Sequence, residues 1–217
     1  MLREVILNDW YTVFLMLAFL CITASKLLFA KRFEDFLYIV ANSNYLKIYA
    51  RDQKFIDGFD AFLFAASVIS ITIFGYLTFN TFVGNSIFEL VFFLKLLFAI
   101  ATFILIKVLV ERLIGSLFEI DKLIDTYLFQ KTTYKNFIGI ILIPINIIFI
   151  YSLEPTKLSI YVVFGIILLI NFIGFISSFQ NFQKLLISNF FYFILYLCAL
   201  EIGPYIILYY LIKNYNI

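Results

Sequence analysis

Residues 59–110 decide the fold: Phe59–Val83, FDAFLFAASVISITIFGYLTFNTFV, then Gly84-Asn85-Ser86, then Ile87–Val110, IFELVFFLKLLFAIATFILIKVLV. Two apolar stretches, each longer than the roughly 20 residues a helix needs to cross a hydrocarbon core of about 30 Å, are joined by three turn residues. Neither stretch alternates polar and apolar residues as a barrel strand does. They read as two membrane-spanning helices joined by a tight turn.

The rest of the chain extends this reading. Of its 217 residues, 64% are hydrophobic and only 14% charged, and mean hydropathy is +1.04. Soluble domains sit near 45–50% apolar and about 25% charged, so this surface needs lipid as its solvent. Four more stretches are long and apolar enough to span: 10–29, 136–153 (shorter, and interrupted by Pro144), 159–179 and 190–212. The expected fold is all-α, a single polytopic membrane bundle of about six transmembrane helices with amphipathic helices at the cytoplasmic face. Trp10-Tyr11 reads as an interfacial anchor for the first span. No small-x-small cleavage site closes that span, which is expected to stay in the mature protein.

Charge sets the threading. Arg3, Lys157 and Lys213 fall on the side of the two termini, and twelve basic residues fall on the other: Lys26, Lys31, Arg32, Lys47, Arg51, Lys54, Lys107, Arg112, Lys122, Lys131, Lys135 and Lys184. Basic residues accumulate on the cytoplasmic side of inner-membrane proteins, so both termini are predicted to be periplasmic. Two cytoplasmic connections are long. In the first, Phe33, Phe36, Leu37 and Val40 fall at helical spacing, and Tyr45, Leu46, Ile48 and Tyr49 repeat it after Asn42-Ser43-Asn44. This spacing predicts two short amphipathic helices at the headgroup level. In the second, Leu113, Leu117, Ile120, Ile124 and Leu128 make one stripe with Arg112, Glu119, Lys122 and Asp125 away from it. With no Pro before Phe129, the third span is expected to run on into the cytoplasm. Gly84-Asn85-Ser86 and Glu154-Pro155-Thr156-Lys157 are turns on the outer side. The two halves do not repeat, as an inverted-repeat transporter would require.

Composition removes much chemistry. The chain has no His, so it holds no Ser-His-Asp triad, no imidazole metal ligand and no histidine relay. Cys21 and Cys198 sit in apolar runs and read as small hydrophobes. Asp121 and Asp125 lie on an amphipathic helix, and no Gly-rich phosphate loop is present. No catalytic residue, metal ligand or cofactor is assigned, and no nucleic-acid partner is expected.

Polar groups at depth are the candidates for function. Lys95 and Glu201 fall at similar depth in the third and sixth spans, and either charge alone near the bilayer centre costs about 2.5–3.5 kcal/mol. Pairing between them is predicted. The pair reads either as part of an ion, proton or substrate path or as a clasp between helices. Glu201 opens Glu201-Ile202-Gly203-Pro204, where Pro204 leaves the Leu200 carbonyl without its helical donor and kinks the last span. Asn146, two residues after Pro144, and Asn171 supply amides at membrane depth, which bond between helices or line a site.

The stretch 190–204, FFYFILYLCALEIGP, resembles the C-terminal signature of an uncharacterised family of Bacteroidota inner-membrane proteins catalogued only as a domain of unknown function. Asn8-Asp9-Trp10-Tyr11 and Lys31-Arg32-Phe33 are similar to its N-terminal pattern, and the resemblance covers nearly the whole chain. It implies an inner-membrane location and about six helices, and it groups Tyr196, Cys198, Glu201 and Pro204 in one feature, without supplying an activity. The reading reached is a non-enzymatic subunit or scaffold whose partners are the lipid bilayer and other inner-membrane proteins. The alternatives are a small transporter or ion-conducting protein built on Lys95, Glu201, Asn146 and Asn171, and, third, an enzyme acting on a lipid.

Overall fold

A computed structural model of the chain describes residues 9–39, 44–49, 57–83, 88–117 and 121–188. Among these residues the fold is all-α, with seven helices: α1 (Asp9–Leu28), α2 (Ala30–Leu37), α3 (Asn44–Tyr49), α4 (Gly58–Val83), α5 (Leu90–Leu117), α6 (Asp121–Tyr151) and α7 (Lys157–Ser188). Five of them, α1, α4, α5, α6 and α7, are long and apolar enough to cross a membrane. The sixth predicted span, 190–212, lies outside the described residues.

The five long helices run alternately between two ends of the bundle. At one end, Tyr11 of α1, Tyr76 of α4 and Phe88 just before α5 meet edge-on or tilted, with ring centroids 4.7–6.1 Å apart, and Thr12 reaches Tyr151 at the end of α6 at 2.5 Å. At the other end, Phe29 and Phe36 pack on Phe59 at the start of α4. The second end is called the basic end below, because it holds the long connections where basic residues gather.

Helices α4 and α6 form the centre, with half or more of their apolar stretch inside the protein, whereas α1, α5 and α7 have less than a quarter buried. This division follows from the solvent. An outer helix in a bilayer can be apolar all round, since lipid tails accept any apolar face, so α5 turns Val91, Leu94, Phe98, Leu105, Leu109 and Leu113 outward. The central pair needs close packing instead. Gly139 of α6 lies directly against Ser67 of α4, and a β-carbon at residue 139 would collide with the Ser67 backbone. Small residues at such a crossing let helices approach where no hydrophobic effect drives them together.

The short helices α2 and α3 fall where the helical spacing places them, but they do not lie free at the headgroup level. Phe33, Phe36, Ile39, Tyr45 and Leu46 are buried in one cluster with Phe59 and Leu63 of α4 and Phe129 and Tyr134 of α6. The apolar face is therefore covered by the bundle itself, and Leu37, Tyr38 and Ile48 remain exposed.

The second long connection also differs from its expected form. Helix α5 does run on past Val110, to Leu117, but α6 starts at Asp121, well before the apolar stretch at 136–153. Gly115 faces Ile124 so closely that a β-carbon would come within 2.8 Å of it. The chain folds back here as an antiparallel helical hairpin. The single stripe is accordingly split: Ile124 and Leu128 are buried, while Leu113 and Leu117 point outward. Pro144 lies inside α6. Helix α7 is started by a reciprocal cap, in which the Thr156 amide donates to Ser159 Oγ at 2.9 Å and the Ser159 amide to Thr156 Oγ1 at 3.2 Å.

Candidate functional site: buried charge at the basic end

Helix α5 is apolar along most of its length, but near the basic end it carries Lys107 and Glu111, one turn apart. Helix α6 carries Lys131 and Lys135 at the same spacing. Residues four apart lie on one helix face, so each helix presents one charged stripe. The antiparallel register that puts Gly115 on Ile124 brings these stripes together: Lys131 Nζ donates to Glu111 Oε1 at 2.6 Å. The same register sets Lys107 level with Lys135, one turn deeper in the bundle.

Burial gives this pair its weight. Glu111 is fully buried, Lys107 is 9% exposed, and the Lys131 side chain is 19% exposed. Desolvating two ions costs several kcal/mol each, which only direct pairing offsets. Lys131 also stands 5.7 Å over the Tyr127 ring. The second carboxylate oxygen, Glu111 Oε2, has no hydrogen-bond donor among the described residues. Toward the end of the bundle, Arg112 and Asp125 form a looser pair at 3.4 Å, with side chains 39% and 49% exposed. Sequence reading counted Lys107, Lys131 and Lys135 among the basic residues that set orientation and overlooked Glu111. The matching pairs of charges four residues apart, 107/111 and 131/135, were the available signal.

A second polar seam ties α4 to α6. Asn146 Nδ2 donates to the Ser70 carbonyl at 2.9 Å and to Ser70 Oγ at 3.2 Å, with both residues fully buried. Ser67 Oγ donates to Asn136 Oδ1 at 3.3 Å beside the Gly139 crossing. Gln130 Nε2 reaches the Gly174 carbonyl on α7 at 3.4 Å. Hydrogen bonds of this kind hold helices together in a medium without competing water.

Arg32 holds the α2–α3 hairpin to the start of α4. Its guanidinium donates to Asp57 and to Asp60, the latter at 2.9 Å, and its Nε donates to the Tyr45 hydroxyl at 3.3 Å. Its carbon centre lies 4.5 Å from the Phe59 ring centroid and 5.2 Å from that of Tyr49, and the Tyr49 hydroxyl donates to Asp35 at 3.0 Å. A planar, forked cation fits this mixture of carboxylates and ring faces as an ammonium would not. Burial holds the Tyr45 phenol well above its ordinary range, outweighing the opposing pull of Arg32.

The residues singled out from sequence fall differently. Asn146 is buried in the α4–α6 seam, whereas Asn171 is exposed and bonds to the Ile167 carbonyl of its own helix at 2.9 Å. Lys95 is on an exposed face of α5, about 8 Å from the start of that helix at 1.5 Å per residue. From that depth its ammonium can snorkel to the interface. Glu201, Tyr196, Cys198, Gly203 and Pro204 lie outside the described residues. Among the described residues no three Cys, Asp or Glu side chains converge as a metal centre would require.

Five helices long and apolar enough to cross a membrane define the class: a multi-pass helical membrane protein. Within that class the chain belongs to the family described as a domain of unknown function, DUF4271, whose match covers residues 11–212. No curated protein and no solved structure matches the chain.

Proposed function

We propose that the chain is a non-enzymatic subunit or scaffold of a protein complex in the inner membrane of a Bacteroidota bacterium. Both termini are periplasmic, and the basic end faces the cytoplasm. The observation that carries this reading is the use made of the intramembrane amides. Asn146, a candidate for lining a path, donates across the seam to Ser70, Asn136 accepts from Ser67 and Gln130 donates to Gly174, while Asn146 Oδ1, Asn136 Nδ2 and Gln130 Oε1 have no partner among the described residues. Polar groups used to lock helices together suit a rigid element that presents surfaces to other proteins. The bias of twelve basic residues against three supports the orientation. The transport alternative, built on a Lys95–Glu201 pair, is left with less support, since Asn146 and Asn171 both bond elsewhere.

Purification of the tagged full chain in mild detergent, followed by mass spectrometry, tests the reading. At least one membrane protein is expected to co-purify in stoichiometric amount, and recovery of none overturns it. An alkaline phosphatase fused after Ile217 is expected to be active, and an inactive fusion reverses the orientation.

A further inference from the structure

The seam between α4 and α6 leaves half of one buried amide without a partner. Asn136 is fully buried, and its Nδ2 has no acceptor among the described residues. Its Oδ1 is only loosely held. The Ser67 hydroxyl has one proton to give, and the Phe64 carbonyl at 2.9 Å competes for it with Asn136 Oδ1 at 3.3 Å. A polar group buried without a hydrogen bond is costly, and such groups in native structures are normally met by protein or by ordered water.

Two acceptors stand close to that donor. Thr133, three residues before Asn136, is its neighbour on the surface of α6 and is buried as well. The Thr133 hydroxyl gives its proton to the Phe129 carbonyl at 2.7 Å and keeps its lone pairs. Ser67 Oγ, across the seam, keeps lone pairs in the same way. The surroundings are closed. Gly139 lies against the Ser67 backbone on the outer side. Toward the basic end the α2–α3 hairpin covers α6, with Phe36 packed on Phe137.

We propose that Asn136, Thr133 and Ser67 together bind one buried water molecule. The water accepts from Asn136 Nδ2 and donates to Thr133 Oγ1 and Ser67 Oγ, which gives it the set of bonds a buried water commonly makes. Water suits this site better than a cation does. The unused amide group is a donor, which a cation cannot satisfy, and if the amide is turned over water still serves by exchanging its roles. Nor is there charge to balance a cation, since α4 beyond Asp60 and α6 beyond Asp125 carry no carboxylate. The water is fixed rather than in transit, because the Gly139 crossing shuts the seam beyond it. The site depends on the packing of α4 on α6 and holds whether or not the chain works as a subunit of a complex.

NMR of the full chain in detergent, with isotope-labelled asparagine, tests the site through magnetisation transfer from water to the side-chain amide protons. The Asn136 Nδ2 protons are expected to show direct transfer from a long-lived water. Thr133→Val keeps the shape of the side chain but removes one acceptor, so the transfer should fall to background while the Asn146 amide is unaffected. Thr133→Ser keeps the hydroxyl and should retain the signal. No transfer in the wild type overturns the proposal, as does an undiminished signal in Thr133→Val. Sodium chloride and choline chloride at equal concentration are expected to leave the melting temperature the same. A rise with sodium alone would put a cation in the site and overturn the water. Should Thr133→Val fail to fold, the wild-type signal and the salt comparison decide the matter alone.

Discussion

Glu111 of α5 and Lys131 of α6 meet at 2.6 Å with the carboxylate wholly buried, across a hairpin that turns back between Leu117 and Asp121. The relationship is asymmetric. Lys131 keeps some contact with solvent, but Glu111 has none, so the carboxylate depends on its partner. Lys131→Met is therefore expected to destabilise the chain by about 3–5 kcal/mol, the cost of leaving a buried charge uncompensated. Glu111→Met/Lys131→Met together should recover most of that loss, because an apolar pair of similar volume removes the desolvation cost with the attraction. Thermal unfolding in detergent of the wild type, both single variants and the double variant checks this. If the single losses simply add, the two residues are not coupled.

The crossing of α4 and α6 predicts a contrast between two glycines. Gly139 abuts the Ser67 backbone, while Gly165 of α7 has open space around the position of a β-carbon. Gly139→Ala must push the central helices apart and is expected to cost about 1–3 kcal/mol, as overpacked sites do. Gly165→Ala keeps the same helix geometry without a collision and should be neutral or slightly stabilising. Equal melting temperatures for the two variants would show that the crossing is not tight.

Arg32→Lys keeps the charge at the α2–α3 hairpin but removes the fork that spans Asp57 and Asp60 and the flat group over Phe59. A loss of roughly 1–3 kcal/mol is expected, the range for hydrogen bonds to charged groups. Because the contacts are local, the loss should appear as opening of the hairpin rather than as global unfolding. Limited proteolysis should cut within α2 or α3 faster in the variant, with the long helices equally protected. Unchanged cleavage would mean that the apolar faces of α2 and α3 hold the hairpin without Arg32.

Tyr45, on the buried face of that hairpin, makes stability depend on pH in one direction. Its folded pKa is raised above the ordinary value of 10.0, chiefly by burial. A group whose folded pKa is raised contributes fully below its unfolded pKa, and the contribution is lost as pH rises past that point. Hairpin stability should thus be flat up to about pH 10 and fall above it. In Tyr45→Phe the fall should be shallower, although the Arg32 Nε contact is lost and the variant starts lower. Proteolytic protection measured between pH 8 and 11 tests the slope, and parallel slopes would rule out Tyr45 as its source.

Much of this architecture was legible from residue order because hydropathy over some 20 residues is a strong signal in a chain with so few charges. The spacing of Phe33 and Phe36 was also enough to place α2. What covers an amphipathic face is another matter. A helix on a headgroup layer and a helix on a protein need the same pattern, and only the fold put Phe36 against Phe59 and Phe137. The charged seam was hidden for a related reason. Lys131 and Lys135 fall in a polar stretch that hydropathy assigns to a connection, so α6 was expected to start near residue 136, and inward-facing lysines were counted as loop charges.

The two intramembrane asparagines make the final prediction, since sequence treats them alike and the fold does not. Asn146 donates across the seam to Ser70, whereas Asn171 turns its amide onto its own helix and faces outward. Asn146→Leu therefore removes an interhelical bond, leaves Ser70 without that donor and inserts a branched side chain at the central pair. A loss of about 1–2 kcal/mol is expected from the bond alone, with packing strain added to it. Asn171→Leu removes only an intrahelical contact and replaces an amide with a side chain that suits the bilayer, so it should be neutral or stabilising. Measured unfolding of both variants in the same detergent separates the cases. If Asn171→Leu proves the more damaging, the outward face of α7 is not lipid-facing, and a protein partner must lie against it.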